Sequence, residues 1–191
     1  NSKTMYFDGT DDYIIGPTIS DLNIGTGDFT VECWLYETTT NTNKGVWDSR
    51  STYNTTDGFA FIRYGTDTFR VYSGSVLIDT GSFTIQNQWV HCALVRSSGT
   101  LSVYINGNSS GSSVSNSTNF SSSGTLKIGG GMFTSSTPTT PNAYITGYIQ
   151  DFRVSNFAFG THTPQSLFTD VQVLAYLVVI EPQIIIACVA Q

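Results

Sequence analysis

Positive charge is scarce in this chain: eight lysines and arginines among 191 residues, against fourteen aspartates and glutamates, for a formal net charge of −6. Neutralising a nucleic-acid backbone needs clustered lysine and arginine, and here they are scattered, which excludes nucleic acid as a partner. Charged residues of both signs make up only 12% of the chain, so serine, threonine, asparagine and glycine carry its solubility. That texture belongs to secreted or virion β proteins rather than to cytosolic enzymes. Cysteine is also rare. There are three (Cys33, Cys92 and Cys188), an odd number that rules out a fully paired set within the chain. Cys33 is in phase with Val31 and Leu35, and Cys92 with Val90 and Leu94, which makes both small buried hydrophobes. A Cys33–Cys92 bridge is the less favoured alternative. Helical periodicity is missing from every window, so strands dominate. A membrane helix needs roughly 20 unbroken apolar residues. The most apolar stretch, residues 171–191, is interrupted at its midpoint by Glu181 and Pro182. No secretory signal opens the chain, and its start at Asn1 reads as a processed product or a piece of something longer.

What is present is alternation. Residues 89–96 (Trp-Val-His-Cys-Ala-Leu-Val-Arg) and 101–106 (Leu-Ser-Val-Tyr-Ile-Asn) form two half-buried strands joined by a Ser/Gly turn, and the second runs into Asn106-Gly107. Residues 29–36 alternate as cleanly: Phe29, Val31, Cys33 and Leu35 on one face, Thr30, Glu32, Trp34 and Tyr36 on the other. Aromatics on both faces predict a strand covered twice, or one whose outer face lines a groove. Shorter strands are expected at 5–7, 13–15, 45–48, 59–64, 68–72, 76–79 and 126–129, with a closing pair over 144–155. Residues 107–124 are too polar for a core and predict a long surface excursion with one short strand. A chain of this length fits one all-β domain and needs no disulfide to fold.

These strands carry a resemblance. Met5-Tyr6-Phe7-Asp8-Gly9 with Asp12-Tyr13 is similar to the opening of laminin G-like, concanavalin A-like jelly rolls. Residues 29–35, 89–96 and 101–107 resemble that family's "FT-V-E-x-W-L", "W-x-H-x-A-L-V-R" and "L-x-V-Y-I-N-G" strands. Residues 126–129 and 147–155 resemble its closing pair. The implied fold is all-β, a two-sheet antiparallel jelly-roll sandwich (concanavalin A-like lectin/glucanase fold) over residues 1–165. An apolar C-terminal extension follows over 166–191, expected as strands packing between subunits or domains. The Ser/Thr-rich texture further resembles structural proteins of marine bacteriophages.

The candidate sites follow from this resemblance and from residue chemistry. Jelly rolls of this kind carry calcium near a sheet edge, so Asp8, Asp11, Asp12 and Asp151 are the candidate ligands for Ca²⁺. The alternative is an Asp-Gly turn with solvated carboxylates, and the spacing is not that of a dedicated calcium loop. Trp34, Trp47, Tyr36, Tyr53, Tyr64 and Tyr72 offer rings for sugar stacking. Trp34 and Trp89 are expected in the core, leaving Trp47 and Tyr53, beside polar loops, as the ligand-binding candidates. No catalytic residue is expected. His91 reads as a packing histidine, the E-x-D-x-x-E arrangement of glucanases is absent, and Glu32 and Glu37 point to opposite faces of one strand. Four Asn-x-Ser/Thr sequons begin at Asn54, Asn108, Asn116 and Asn119. The expected function is a non-enzymatic, lectin-like module of a virion, such as a tail fibre, a tail-associated adhesin or a capsid decoration. Its partners would be other virion proteins, copies of itself and host-surface glycans, with no membrane span. A secreted carbohydrate-binding or adhesion module of a cellular organism is the alternative, and a glycoside hydrolase of the same fold ranks behind both.

Overall fold

The computed structural model describes residues 4–18, 20–22, 24–39, 42–120, 124–133, 139–159, 178–180 and 183–185. The described residues form strands and turns, with no helix among them. In chain order the strands are β1 (Met5–Asp8), β2 (Ile14–Thr18), β3 (Phe29–Glu37), β4 (Lys44–Asp48), β5 (Ala60–Tyr64), β6 (Thr68–Ser73), β7 (Ser75–Asp79) and β8 (Trp89–Ser97). They continue as β9 (Thr100–Ile105), β10 (Asn108–Ser115), β11 (Thr125–Ile128), β12 (Gly130–Gly131), β13 (Ala143–Tyr144), β14 (Thr146–Ser155), β15 (Val178–Ile180) and β16 (Gln183–Ile185).

Fourteen of them make two antiparallel sheets packed face to face, the jelly-roll sandwich expected from the sequence, and β12 pairs with β13 in a separate two-stranded ladder. The eight-stranded sheet runs β10-β9-β8-β3-β14-β16-β15, with β1 also on β14. The six-stranded sheet runs β2-β11-β4-β5-β6-β7. The hairpins are fixed by local chemistry. Ser98 and Gly99, then Asn106 and Gly107, all take positive φ. That is the two-residue turn whose twist matches the flanking strands. The polar run after Gly107 is more ordered than expected. Its first eight residues are β10, an exposed serine-rich edge strand held by β9.

Side chains on the inner faces alternate as the pattern predicts. Phe29, Val31, Cys33 and Leu35 meet Val46, Trp47, Phe59, Phe61, Phe69 and Val71 from the other sheet in one core. Cys33 and Cys92 face each other across β3 and β8 as free, buried thiols. Burial pushes both well above the usual thiol range.

A bulge in β14 decides which residues reach solvent. Gln150 opposes Trp34 and Arg153 opposes Glu32, so three steps on β14 answer two on β3. Asp151, at φ 56°, is the extra residue. Without it Phe152 would point outward; with it Phe152 lies in the core and Arg153 faces out. Gly147 solves a different problem, since a Cβ there would lie 2.0 Å from the Tyr36 carbonyl oxygen. Only glycine lets β14 approach β3 at that point.

From the C-terminal stretch, β16 pairs with the chain's own β14 at residues 153–155, beyond the part of that edge taken by β1. The expectation for residues 160–177, 181–182 and 186–191 lies outside the described residues, as does Cys188. No helix among the described residues is long and apolar enough to cross a membrane.

Candidate functional site

Two groups of aromatic side chains face outward, one on each sheet. The first is built on the six-stranded sheet. Tyr72 and Arg70 on β6 and Tyr64 on β5 alternate with the core residues Phe69, Val71 and Phe61, so their side chains stand on the outer face. Beneath them Ala60 and Ile62 form a fully buried floor. Two loops frame the group. One follows β4 and carries Tyr53; the other follows β12 and carries Phe133.

A buried charged clamp joins those loops. Both oxygens of the Asp48 carboxylate accept bonds from Arg50: Oδ1 from its backbone N–H and Nε, each at 3.0 Å, and Oδ2 from Nη2 at 2.7 Å. Asp48 Oδ2 also takes the Met132 backbone N–H at 2.9 Å, and Arg50 Nη2 returns a bond to the Met132 carbonyl at 2.6 Å. Arg50 Nη1 then donates to the Tyr53 carbonyl. Lys127 Nζ donates to the Arg50 carbonyl at 3.1 Å, and burial lowers its pKa. Asp48 and Arg50 are 0% and 2% exposed, so these charges are spent on positioning backbone. Their reach depends on a pair of glycines, because a Cβ on Gly45 would fall 2.1 Å from the Gly131 nitrogen.

Above the clamp the half-buried rings converge. Phe133 lies 5.9 Å from Tyr64 and 6.5 Å from Tyr72, edge-on to the latter. The Arg70 guanidinium sits 3.4 Å over the Tyr64 ring and binds Asp79 at 2.7 Å. Burial raises the Tyr72 hydroxyl; Arg70 opposes the rise, and the nearby Tyr64 and Tyr53 add to it. The result is a recess of aromatic surface edged with hydroxyls, a guanidinium and a carboxylate. Aromatic faces with a few convergent polar groups are what an uncharged polyhydroxylated ligand needs.

The second group lies on the eight-stranded sheet. Tyr6, Tyr148, Tyr36 and Trp89 are direct cross-strand neighbours on β1, β14, β3 and β8. Their ring centroids follow at 5.2, 6.0 and 5.5 Å. One register step along, Trp34 meets His91 edge-on at 5.3 Å, and His91 Nε2 lies 3.1 Å from Glu32. Glu32 and Asp151 both engage Arg153, at 3.8 and 3.1 Å, so a guanidinium stands between these carboxylates.

The residues singled out from sequence are redistributed. Trp47 is no ligand contact: it is 3% exposed and stacked on Phe61 in the core. Trp34 and Trp89, expected in the core, are half-buried on the outer face. The phase of each strand held that signal. Trp89 and His91 alternate with Val90 and Cys92, and Trp34 alternates with Cys33 and Leu35. Tyr53 belongs to the recess, half-buried, with Arg50 5.6 Å over its ring. Phe133 and Arg70 were not foreseen, because nothing in a loop sequence says where its ring will point.

Asp8, Asp11 and Asp12 come together, exposed, with ligand atoms within 4.8 Å of one another. Two of their oxygens serve the loop itself: Asp8 Oδ1 accepts from Thr10 N–H and Asp12 Oδ2 from Asp8 N–H. Asp151 is not among them. It lies five residues along β14 from Thr146, the partner of Asp8, a separation of roughly 15 Å at strand spacing.

A family model described as the concanavalin A-like lectin/glucanases superfamily matches residues 8–162. No curated protein sequence matches. Among solved structures, the CBM40 module of the Ruminococcus gnavus IT-sialidase, bound to α2,3-sialyllactose, superposes with a TM-score of 0.62 at 12% identity, over 83% of this chain and 94% of that one. A Bacteroides ovatus protein proposed to bind carbohydrate gives 0.59 at 16%, over 80% of this chain. The present chain spans only 44% of that protein's length. Domain 4 of the Geobacillus stearothermophilus arabinanase AbnA, in complex with arabinotriose, gives 0.55 at 15%, over 84% and 85%. At such identities the likeness is one of fold.

Proposed function

The chain belongs to the concanavalin A-like lectin/glucanase superfamily, and on that premise we propose that it is a carbohydrate-binding module whose ligand sits in the recess of the six-stranded sheet. The observation that carries this reading is the convergence of Tyr53, Tyr64, Tyr72 and Phe133 with the Arg70–Asp79 pair, above a floor sealed by Ala60 and Ile62. Rings stack on the apolar faces of sugars, while the paired guanidinium and carboxylate offer donors and acceptors to hydroxyls. The two similar modules bound to sialyllactose and arabinotriose lend the ligand class support. Catalysis is not part of the proposal, since Glu32 and Asp151 share Arg153 instead of facing each other as an acid–base pair.

The test is a glycan array with the wild-type chain and with Tyr72→Ala. Wild type is expected to hold a defined set of oligosaccharides and the variant to lose it by about tenfold. An unchanged array profile for the variant would remove the recess from consideration.

The setting is the finer half of the proposal. The phage-like texture supports a virion surface, where many copies raise weak affinities to useful avidity. A secreted module of a cellular organism is the competitor, and glycans at Asn54, Asn108 or Asn119 in native material discriminate the two. Asn116 is a poor acceptor: it is buried, and its side-chain oxygen takes a bond from Arg96. Calcium at Asp8, Asp11 and Asp12 stays a proposal of the same rank. Three carboxylates supply part of the six to eight oxygens Ca²⁺ takes, and comparing melting temperatures in CaCl2 and EDTA decides it.

A further inference from the structure

The cross-strand row Tyr6–Tyr148–Tyr36–Trp89 is not used by the recess, since it lies on the other sheet and faces the opposite way. We propose that this row is a second carbohydrate-binding surface, for an extended neutral glycan chain lying across the strands, and that the module therefore holds two chains at once. The ligand class rests on the reading of the recess; the surface itself rests on separate residues.

The geometry is that of a strip rather than a cluster. Each ring comes from a different strand at a matched register position, so the row advances by one inter-strand spacing, about 4.8 Å, per ring. Successive rings are tilted by 51°, 67° and 57°. Neighbouring rings along the row are thus inclined to one another rather than coplanar. An extended β-1,4-linked glycan likewise turns each sugar over relative to the last. Tyr6 is 58% exposed at the open end, and the other three rings are half-buried. Three hydroxyls and an indole N–H accompany the apolar surface, so a ligand rich in hydroxyls finds hydrogen-bond partners along its whole length.

Charge selects among occupants. Asp8 shares the outer face with Tyr6 two residues away, and it stands with Asp11 and Asp12 in the exposed acidic loop. Glu32 and Asp151 lie on the other flank, with Arg153 between them. The acidic loop on one side, the single net negative charge that two carboxylates and Arg153 leave on the other, and a chain net charge of −6 disfavour uronic, sulfated or sialylated chains. A second copy of this protein would bring the same acidic loop and the same net charge to the contact. An uncharged polysaccharide meets neither penalty.

The test is native affinity electrophoresis of the full chain in gels containing mixed-linkage β-glucan, linear arabinan or carboxymethyl cellulose, the last as the anionic control. Four proteins are run: wild type, a Tyr6→Ala/Trp89→Ala variant, Tyr72→Ala, and the triple variant, each checked for folding by its thermal melt. Tyr6→Ala alone, at the most exposed ring, replaces the double variant if that one fails to fold. A neutral glycan is expected to retard wild type, with an apparent Kd about tenfold weaker when the row is truncated and retardation lost in the triple variant. Carboxymethyl cellulose is expected to retard none of them. If the row variant matches wild type while Tyr72→Ala loses binding, the second surface is overturned and the recess stands. If only the row variant loses binding, the second surface stands and the recess falls. No retardation of wild type by any neutral glycan, or a wild-type dimer that the row variant converts to monomer, overturns the proposed surface.

Discussion

Replacing Glu37 by glutamine isolates one ionisation that the sandwich interior makes expensive. Glu37 ends β3 on the inner face with none of its surface exposed, and its Oε2 lies 2.7 Å from Nε of Arg63, equally buried on β5 of the facing sheet. Lys44 is close, but its ammonium is held by the Thr39 carbonyl and by the Thr39 and Thr146 hydroxyls. Burial pushes the Glu37 carboxyl up to about 7 from an ordinary 4.5, against the opposing pull of Arg63 and then Lys44. The same burial lowers both cations. Between pH 4.5 and 7 the folded protein therefore keeps a proton that the unfolded chain releases. The resulting stability is complete below the lower value and is lost as pH rises through the upper one. At 1.36 kcal/mol per unit, the loss is ~3 kcal/mol at the limit. Glu37→Gln keeps the volume and cannot ionise, and titrating groups that do not interact with Glu37 cancel in the comparison. Urea unfolding of both proteins at intervals from pH 4.5 to 8 is expected to show wild type losing stability relative to E37Q, with unchanged m-values. A difference that stays flat, or that moves in favour of wild type as pH rises, would mean that the ion pair with Arg63 outweighs burial, and the argument would fail.

Three further outcomes follow from the packing. Trp47→Ala, which empties a core site, is expected to cost about 3–5 kcal/mol, and Trp34→Ala on the outer face less than half of that; thermal and urea melts compare them. Arg50→Met strands the Asp48 carboxylate in a buried site and should destabilise by about 3–5 kcal/mol. It should also broaden the amide signals of Met132 and Phe133 in NMR, and sharp, unshifted signals would show that the clamp does not hold the loop. In a Cys188→Ser background the native protein is expected to leave Cys33 and Cys92 unmodified by a thiol reagent that labels both in denaturant. Rapid labelling of the native form would contradict their burial.

The alternation at 29–36, 89–96 and 101–106 determined the strands, their inward faces and the hairpin turns, because a period of two is a property of the strand itself. So is the phase that puts Trp34 and Trp89 outward, against the general preference of tryptophan for burial. Tertiary structure alone decided the rest. Trp47 precedes a polar loop and looks exposed, yet a register shift in β4 between Gly45 and Trp47 leaves its ring stacked on Phe61 in the core. Asp151 could not be placed from sequence, because it is itself the extra residue of the β14 bulge and lies roughly 15 Å along that strand from the acidic loop. The row of Tyr6, Tyr148, Tyr36 and Trp89 exists only because four strands far apart in sequence meet in one register, and the recess only because a buried Asp48–Arg50 pair draws two loops over the same sheet. Local pattern sets which way a side chain points; strand register and buried charge set which side chains it meets.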